Sequence, residues 1–402
     1  MDSLSVLLNE PPAVQAERGT LHTPREIAQQ PDTWQTTYSI LEKRRGELAT
    51  FLERAGVKSV HRRPTVLLIG AGTSDYIGQC LHHLLRNEWQ CEVVPVPSTS
   101  LLMDPVEYLI PGDPYLWVSF SRSGDSPEGV ALLEHALAEQ PHVHHLIITC
   151  NAEGQMIRLI QGRPECLGIV LDDTTNDRSL AMTSSFSNMV LAGQLLAHTF
   201  SPDSYAPVFE RIVEAGRDFL PCAAEMAATL SRKGYSRACF VGSGLLAGVA
   251  KESALKLLEL TSGQVKTMSE TTLGLRHGPM AALDRETLFV SFLSSTESRR
   301  NYEMDLLREI GEKQLVRTRL AVMGSGGARR REGDEEYFLA PLRDWKIPDS
   351  YRPAVDVIFG QLFGLFSSLE QGLKPDTPSP NGVISRVVQM IGIYPTAFRP
   401  CA

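Results

Sequence analysis

A strand, a tight small-residue turn and a helix occur twice in this chain, in the same register. Ala238-Cys-Phe-Val-Gly-Ser-Gly244 echoes Leu67-Leu-Ile-Gly-Ala-Gly72, and Thr287-Leu-Phe-Val-Ser-Phe-Leu-Ser-Ser-Thr-Glu297 echoes Tyr115-Leu-Trp-Val-Ser-Phe-Ser-Arg-Ser-Gly-Asp125. Both echoes share an offset of about 172 residues, Gly70 to Gly242 and Phe120 to Phe292, as a tandem duplication leaves. The chain is therefore expected to fold as two similar domains, which also suits its 402 residues.

Each copy has the rhythm of an α/β fold. Thr65 to Ile69, Cys91 to Pro95, Leu116 to Phe120, His145 to Thr149 and Gly168 to Leu171 are strand-like runs separated mostly by helical stretches. Strands alternating with helices give right-handed crossovers, a parallel sheet and helices on both of its faces. Asp177 to Phe200 is predicted as one long apolar helix closing the first copy. Before it, residues 1–60 are predicted as a polar helical arm, with Thr23 as N-cap before Pro24 and Glu26, and a second helix over Thr33 to Leu52. The divisions are 1–60 for the arm, 61–215 and 216–372 for the two domains, and 373–402 for a tail.

Leu116 to Gly129 is the most informative stretch. A buried strand breaks into Ser121, Arg122, Ser123, Gly124 and Ser126, and Pro127 opens a helix. Such a turn points backbone N–H groups, hydroxyls and the positive end of a helix dipole at one spot, which suits a phosphate; the same composition also serves ordinary loops and N-caps. Its second copy, Leu293 to Ser298, has no glycine and is expected to be scaffold only.

Charge and composition narrow the partners. The net charge of −8 and pI near 5.7 argue against general nucleic-acid binding, yet leave a small anion open. Seven scattered cysteines without a Cys-x-x-Cys pair indicate neither a disulfide framework nor a zinc knuckle. His142, His144 and His145 cluster without accompanying carboxylates or cysteines, so no metal is expected. No run reaches the roughly 18 apolar residues of a membrane span, and the first residues lack a signal-peptide pattern, so a cytoplasmic protein is expected.

Gly72-Thr-Ser74, Ser121-Arg-Ser-Gly-Asp-Ser126, Leu255-Lys-Leu-Leu-Glu-Leu260 and Arg276-His-Gly-Pro279 resemble the sugar isomerase (SIS) family. The tandem arrangement is similar to the isomerase half of glucosamine-6-phosphate synthase. Ser253 to Gly263, Leu373-Lys-Pro-Asp-Thr-Pro-Ser-Pro-Asn-Gly382 and Arg386-Val-Val-Gln389 narrow the resemblance to the AgaS group of galactosamine-6-phosphate deaminases and tagatose-6-phosphate ketose/aldose isomerases. The resemblance covers nearly the whole chain and implies two tandem three-layer αβα SIS domains, each a parallel sheet flanked by helices.

It also implies a site. Thr73, Ser74, Ser121, Ser123 and Ser126 match the family's phosphate-binding positions. Arg122 stands where the synthase loop carries glutamine; it either reaches the phosphate or points to solvent. Glu259 matches the catalytic carboxylate, and Lys256, one turn earlier on the same helix face, stabilises an oxyanion or positions Glu259. A surface ion pair is the plain alternative for those two. Moving a proton between C1 and C2 needs one base that collects and returns it, a role expected of a carboxylate raised by burial. His277 matches the ring-opening histidine, which the partner subunit contributes in the synthases, so a homodimer is implied. Arg386 is a possible tail contact. The synthase's C-terminal Schiff-base lysine has no counterpart, since Lys374 is the last lysine.

No glutaminase domain precedes the first copy, so the expected direction releases ammonia: galactosamine 6-phosphate to tagatose 6-phosphate, with no cofactor. Simple aldose–ketose isomerisation is the alternative. A non-catalytic sugar-phosphate sensor is a third reading, but a sensor needs neither Glu259 nor His277. The configuration at C4 of the sugar is not legible from the sequence.

Overall fold

Residues 1–331, 335–388 and 391–394 of the computed structural model are described here; Gln389 of the tail motif and Cys401 lie outside them. The chain forms two compact units. One comprises Thr33–Asn176, Asn188–Tyr205 and Ile384–Ala402; the other comprises Met1–Asp32, Asp177–Ser187 and Ala206–Val383.

The first of these holds a parallel five-stranded sheet of β1 (Thr65–Gly70), β2 (Val93–Pro97), β3 (Tyr115–Ser121), β4 (His144–Thr149) and β5 (Cys166–Val170), ordered β2-β1-β3-β4-β5. β3 pairs with both β1 and β4, and its seven residues are all buried, as a central strand covered on both faces requires. Leu67, Ile69, Val96, Tyr115 and Trp117 pack with Leu132 and Ala136 of the helix after β3.

The second unit holds β6 (Arg237–Gly242), β7 (Lys266–Thr271), β8 (Thr287–Phe292), β9 (Thr318–Val322), β10 (Arg329–Arg330) and β11 (Glu336–Leu339), ordered β10-β11-β9-β8-β6-β7. It is parallel except where the short β10 runs antiparallel to β11 at one edge. The duplication is visible atom by atom. A Cβ on Gly70 would lie 2.3 Å from the Ser74 carbonyl carbon, and one on Gly242 2.3 Å from the Leu246 carbonyl oxygen. In both copies only glycine lets the following helix start that close to the strand end.

Two local expectations change. The helix after the first copy is Ser184–Ala197, not Asp177 to Phe200, because the Asp177 carboxylate accepts from the amides of Thr183, Ser184 and Ser185 and sets the start there. Thr23 is not an N-cap: the helix is Thr23–Ala28, capped at His22. The Thr23 amide and hydroxyl each donate to Asp376 at 2.8 Å, which ties the arm to the Lys374-Pro-Asp376 segment within this unit. Among the described residues, no helix is long and apolar enough to cross a membrane.

Candidate active site

The candidate residues fall into two groups, one in each unit. In the first, Thr73 and Ser74 occupy the opening turn of helix Thr73–Trp89, directly after Gly72 (φ +55°), and both are buried. Ser121 ends β3, and Ser126 precedes helix Pro127–Glu139. Between them the loop is braced from within and from beneath. The Gly124 amide donates to Ser121 Oγ (3.1 Å) and the Asp125 amide to Ser123 Oγ (3.1 Å). Asn151 Nδ2 donates to the Ser123 carbonyl (2.8 Å), and the Met156 amide to the Gly124 carbonyl (3.0 Å). Gly124, at φ +67°, passes so close to Gly154 that a Cβ on Gly154 would lie 2.8 Å from the Ser123 carbonyl oxygen. Ser126 is the N-cap residue but its side chain makes no cap bond, and its Oγ sits 2.7 Å from where a Cβ on Gly129 would be. The result is a rigid small-residue loop at the carboxyl edge of a parallel sheet, where ligands of such sheets sit.

Arg122 does not point to solvent. Its side chain is buried, and Nη2 donates to the Arg386 carbonyl at 2.6 Å. Arg386 in turn donates from Nη2 to Asn176 Oδ1 at 2.6 Å.

The second group lies on helix Leu246–Leu260. Spacings of four and three residues put Glu252, Lys256 and Glu259 on one stripe. Lys256 Nζ lies 2.6 Å from Glu259 Oε2 and 3.4 Å from Glu252 Oε1. The side chains of Lys256 and Glu252 are 1% and 0% exposed, whereas Glu259 is 25% exposed. This is no surface ion pair. Nor is Glu259 sealed by burial as expected; it opens to one side and is gripped by the ammonium on the other.

The stripe is held by close packing. A Cβ on Gly360 of helix Pro353–Glu370 would lie 2.3 Å from Ser253 Oγ, and one on Gly364 3.1 Å from the Lys256 carbonyl oxygen. Glu252, Gly360 and Gly364 were not singled out from the sequence, although the Glu-x-x-x-Lys and Gly-x-x-x-Gly spacings carry the signal.

His277 ends the short helix Gly274–His277 after β7. Leu275 is buried in the core and Arg276 is held by Glu309 Oε2 at 2.7 Å, so the turn is fixed while His277 itself is exposed. Glu259 and His277 are not joined by a hydrogen bond or ion pair among the described residues. His144 and His145 of β4 meet aromatic rings, Phe51 and Trp117, edge-on.

The SIS domain model matches residues 59–199, the first copy. An AgaS protein of Streptomyces coelicolor is 38% identical over 388 residues, 96% of this chain and 98% of its own. The D-galactosamine-6-phosphate deaminase AgaS of Escherichia coli is 34% identical over 375 residues, 93% of this chain and 95% of its own. The solved structure of tagatose-6-phosphate ketose/aldose isomerase from Escherichia coli superposes with a TM-score of 0.79 at 31% identity, over 93% of this chain and 96% of that one.

Proposed function

The chain belongs to the AgaS family of SIS-domain proteins, and from that premise we propose that it is an amino-sugar-phosphate deaminase, converting galactosamine 6-phosphate to tagatose 6-phosphate and ammonia. The observation that carries the reading is the Lys256–Glu259 pair: a carboxylate held at 2.6 Å by a buried ammonium, with its other side open to solvent.

In this reading residues 61–215 form the phosphate-binding domain and residues 216–372 the catalytic one. Thr73, Ser74, Ser121, Ser123 and Ser126 take the phosphate, using hydroxyl and backbone donors. His277 moves a proton between the ring oxygen and the anomeric hydroxyl, opening the sugar to its aldehyde. Glu259 removes the C2 proton, leaving an enolamine, and returns a proton to C1. The product is a C2 imine, which water hydrolyses to the ketone and ammonia. Lys256 fixes the orientation of the Glu259 carboxylate. No metal or cofactor is assigned to these steps. Since His277 is exposed on this chain, we assign it to the site of a second copy, in a cytoplasmic homodimer.

The likeness to a tagatose-6-phosphate ketose/aldose isomerase favours a second reading, in which the same groups interconvert an aldohexose 6-phosphate and its ketose without loss of nitrogen. Ammonia release from galactosamine 6-phosphate, with glucosamine 6-phosphate beside it, separates the two. Release from the galacto sugar alone supports the deaminase and its C4 preference. Release from neither overturns it in favour of isomerisation.

A further inference from the structure

Arg122 belongs to the loop proposed to take the phosphate, and its guanidinium reaches the backbone of the tail. Arg122 Nη2 donates to the Arg386 carbonyl at 2.6 Å. The Arg386 side chain is pinned separately, Nη2 donating to Asn176 Oδ1 at 2.6 Å and to the Asn176 carbonyl at 3.3 Å. One tail residue is thus held twice, by its main chain and by its side chain.

The root of Arg122 is equally fixed. Its own carbonyl accepts from the Cys150 amide and from Thr149 Oγ1, each at 3.2 Å, where β4 ends. A bond from a charged donor to a carbonyl is stronger than one between neutral groups. We propose that Arg122 is a positioning residue that fastens the tail at Arg386 over the phosphate loop, and that the tail so held retains the sugar phosphate. Arg122 acts through the tail and is not itself a phosphate donor. The retention half of this inference rests on the reading of the loop as a sugar-phosphate site; the fastening half does not.

The two halves are tested separately on the full chain. Trypsin cuts after Arg386, attacking the very carbonyl that Arg122 engages, so a fastened tail resists cleavage there. Loss of the peptide from Val387 onward, followed by intact mass without any substrate, is expected to be about tenfold faster in Arg122→Ala and in Asn176→Ala, with Arg122→Lys closer to the parent. Unchanged cleavage in Arg122→Ala overturns the fastening.

The second arm measures binding of inorganic phosphate and steady-state kinetics with galactosamine 6-phosphate. The expected result for Arg122→Ala is a KM raised more than kcat is lowered, partly rescued by lysine, with the same KM rise in Asn176→Ala and little further rise in the double variant. Arg122→Ala that abolishes phosphate binding while cleavage at Arg386 stays slow makes Arg122 a phosphate ligand and overturns the proposal. If the protein has no activity on this sugar in any variant, the functional reading fails while the cleavage arm still decides the fastening.

Discussion

The Ser295 amide donates to Asp349 Oδ1 at 2.8 Å. Ser295 is the counterpart of Ser123 at the 172-residue offset, so the second copy of the loop proposed to take phosphate already holds an anion, the Asp349 carboxylate of the chain itself. The Ser294 hydroxyl also donates to Asp349, and the Ser294 amide to Glu303 Oε2 at 2.6 Å. Burial raises the Asp349 pKa, but the bonds from Ser294 and Ser295 and the charge of Arg352 outweigh it, so the carboxyl is held below its ordinary range. This gives a physical reason for the loop without glycine to be scaffold. Asp349→Ala removes the built-in anion and is expected to cost about 2 kcal/mol of stability. Inorganic phosphate then raises Tm more in the variant than in the parent, by binding where the carboxylate was. Equal increments in both proteins would sink the idea.

Glu259→Gln keeps the shape of the side chain and removes its basicity. With a quarter of the side chain exposed, the substitution is expected to leave Tm within a few degrees. Turnover of the sugar phosphate falls by roughly 10²- to 10⁴-fold, the usual range for a lost general base. The decisive readout is exchange of the substrate's C2 proton with deuterated water. Full turnover or undiminished exchange in Glu259→Gln removes Glu259 from the mechanism.

Lys256 carries a different liability. Its ammonium lies against Glu252, whose side chain is fully buried. Lys256→Met withdraws that cation from a buried carboxylate and is expected to cost about 3–5 kcal/mol. Adding Glu252→Gln removes the stranded charge and recovers most of the stability in urea unfolding, but not the activity, since Glu259 still lacks its partner. A double variant as unstable as the single one contradicts this account.

The parts of the fold that followed from the sequence are those where local and repeated signals agree. Gly70 and Gly242 mark the same strand-to-helix turn in both copies, and both leave no room for a Cβ. The pairing of Lys256 with Glu259 was legible because a three-residue helical spacing leaves little choice. What the sequence misled on was set by distant partners. Thr23 had the composition of a cap but is bonded to Asp376, over 350 residues away in the chain. Asp177 looked like the start of a helix that in fact begins seven residues later, at Ser184. The bond from Arg122 to the tail could not be read locally, because its acceptor is a backbone carbonyl 264 residues away in the chain.

Glu26 links two of those segments. Its carboxylate accepts from the amides of Arg178 and Ser179 and from the Ser179 hydroxyl. Burial, then the nearby Asp177 carboxylate, push its pKa from 4.5 up to about 7. A carboxyl raised in the folded state contributes stability that is full below pH 4.5 and is lost as the pH rises to about 7. Across that window the loss approaches about 1.4 kcal/mol per pH unit. Glu26→Gln does not titrate, so the difference in unfolding free energy between variant and parent should change with pH up to neutrality and level off above it. A pH-independent difference contradicts the assignment.

His145 should work in the opposite direction. It is fully buried in β4, its ring edge-on to Trp117 with centroids 5.3 Å apart, and neither ring nitrogen has a hydrogen-bond partner among the described residues. Burial, with lesser contributions from His144 and Arg163, lowers its pKa from 6.5 to about 3. Unfolding exposes a histidine that takes up a proton the folded state refuses. Stability from this residue is therefore full above pH 6.5 and is lost as the pH falls toward 3, again by up to about 1.4 kcal/mol per unit. His145→Leu replaces two unsatisfied polar atoms by apolar ones of similar bulk, so the variant should match or exceed the parent at pH 7. Its advantage should widen steadily as the pH drops below 6.5. Urea unfolding at pH 7, 6 and 5 reads this directly; an advantage that stays constant would mean that His145 is protonated in the fold.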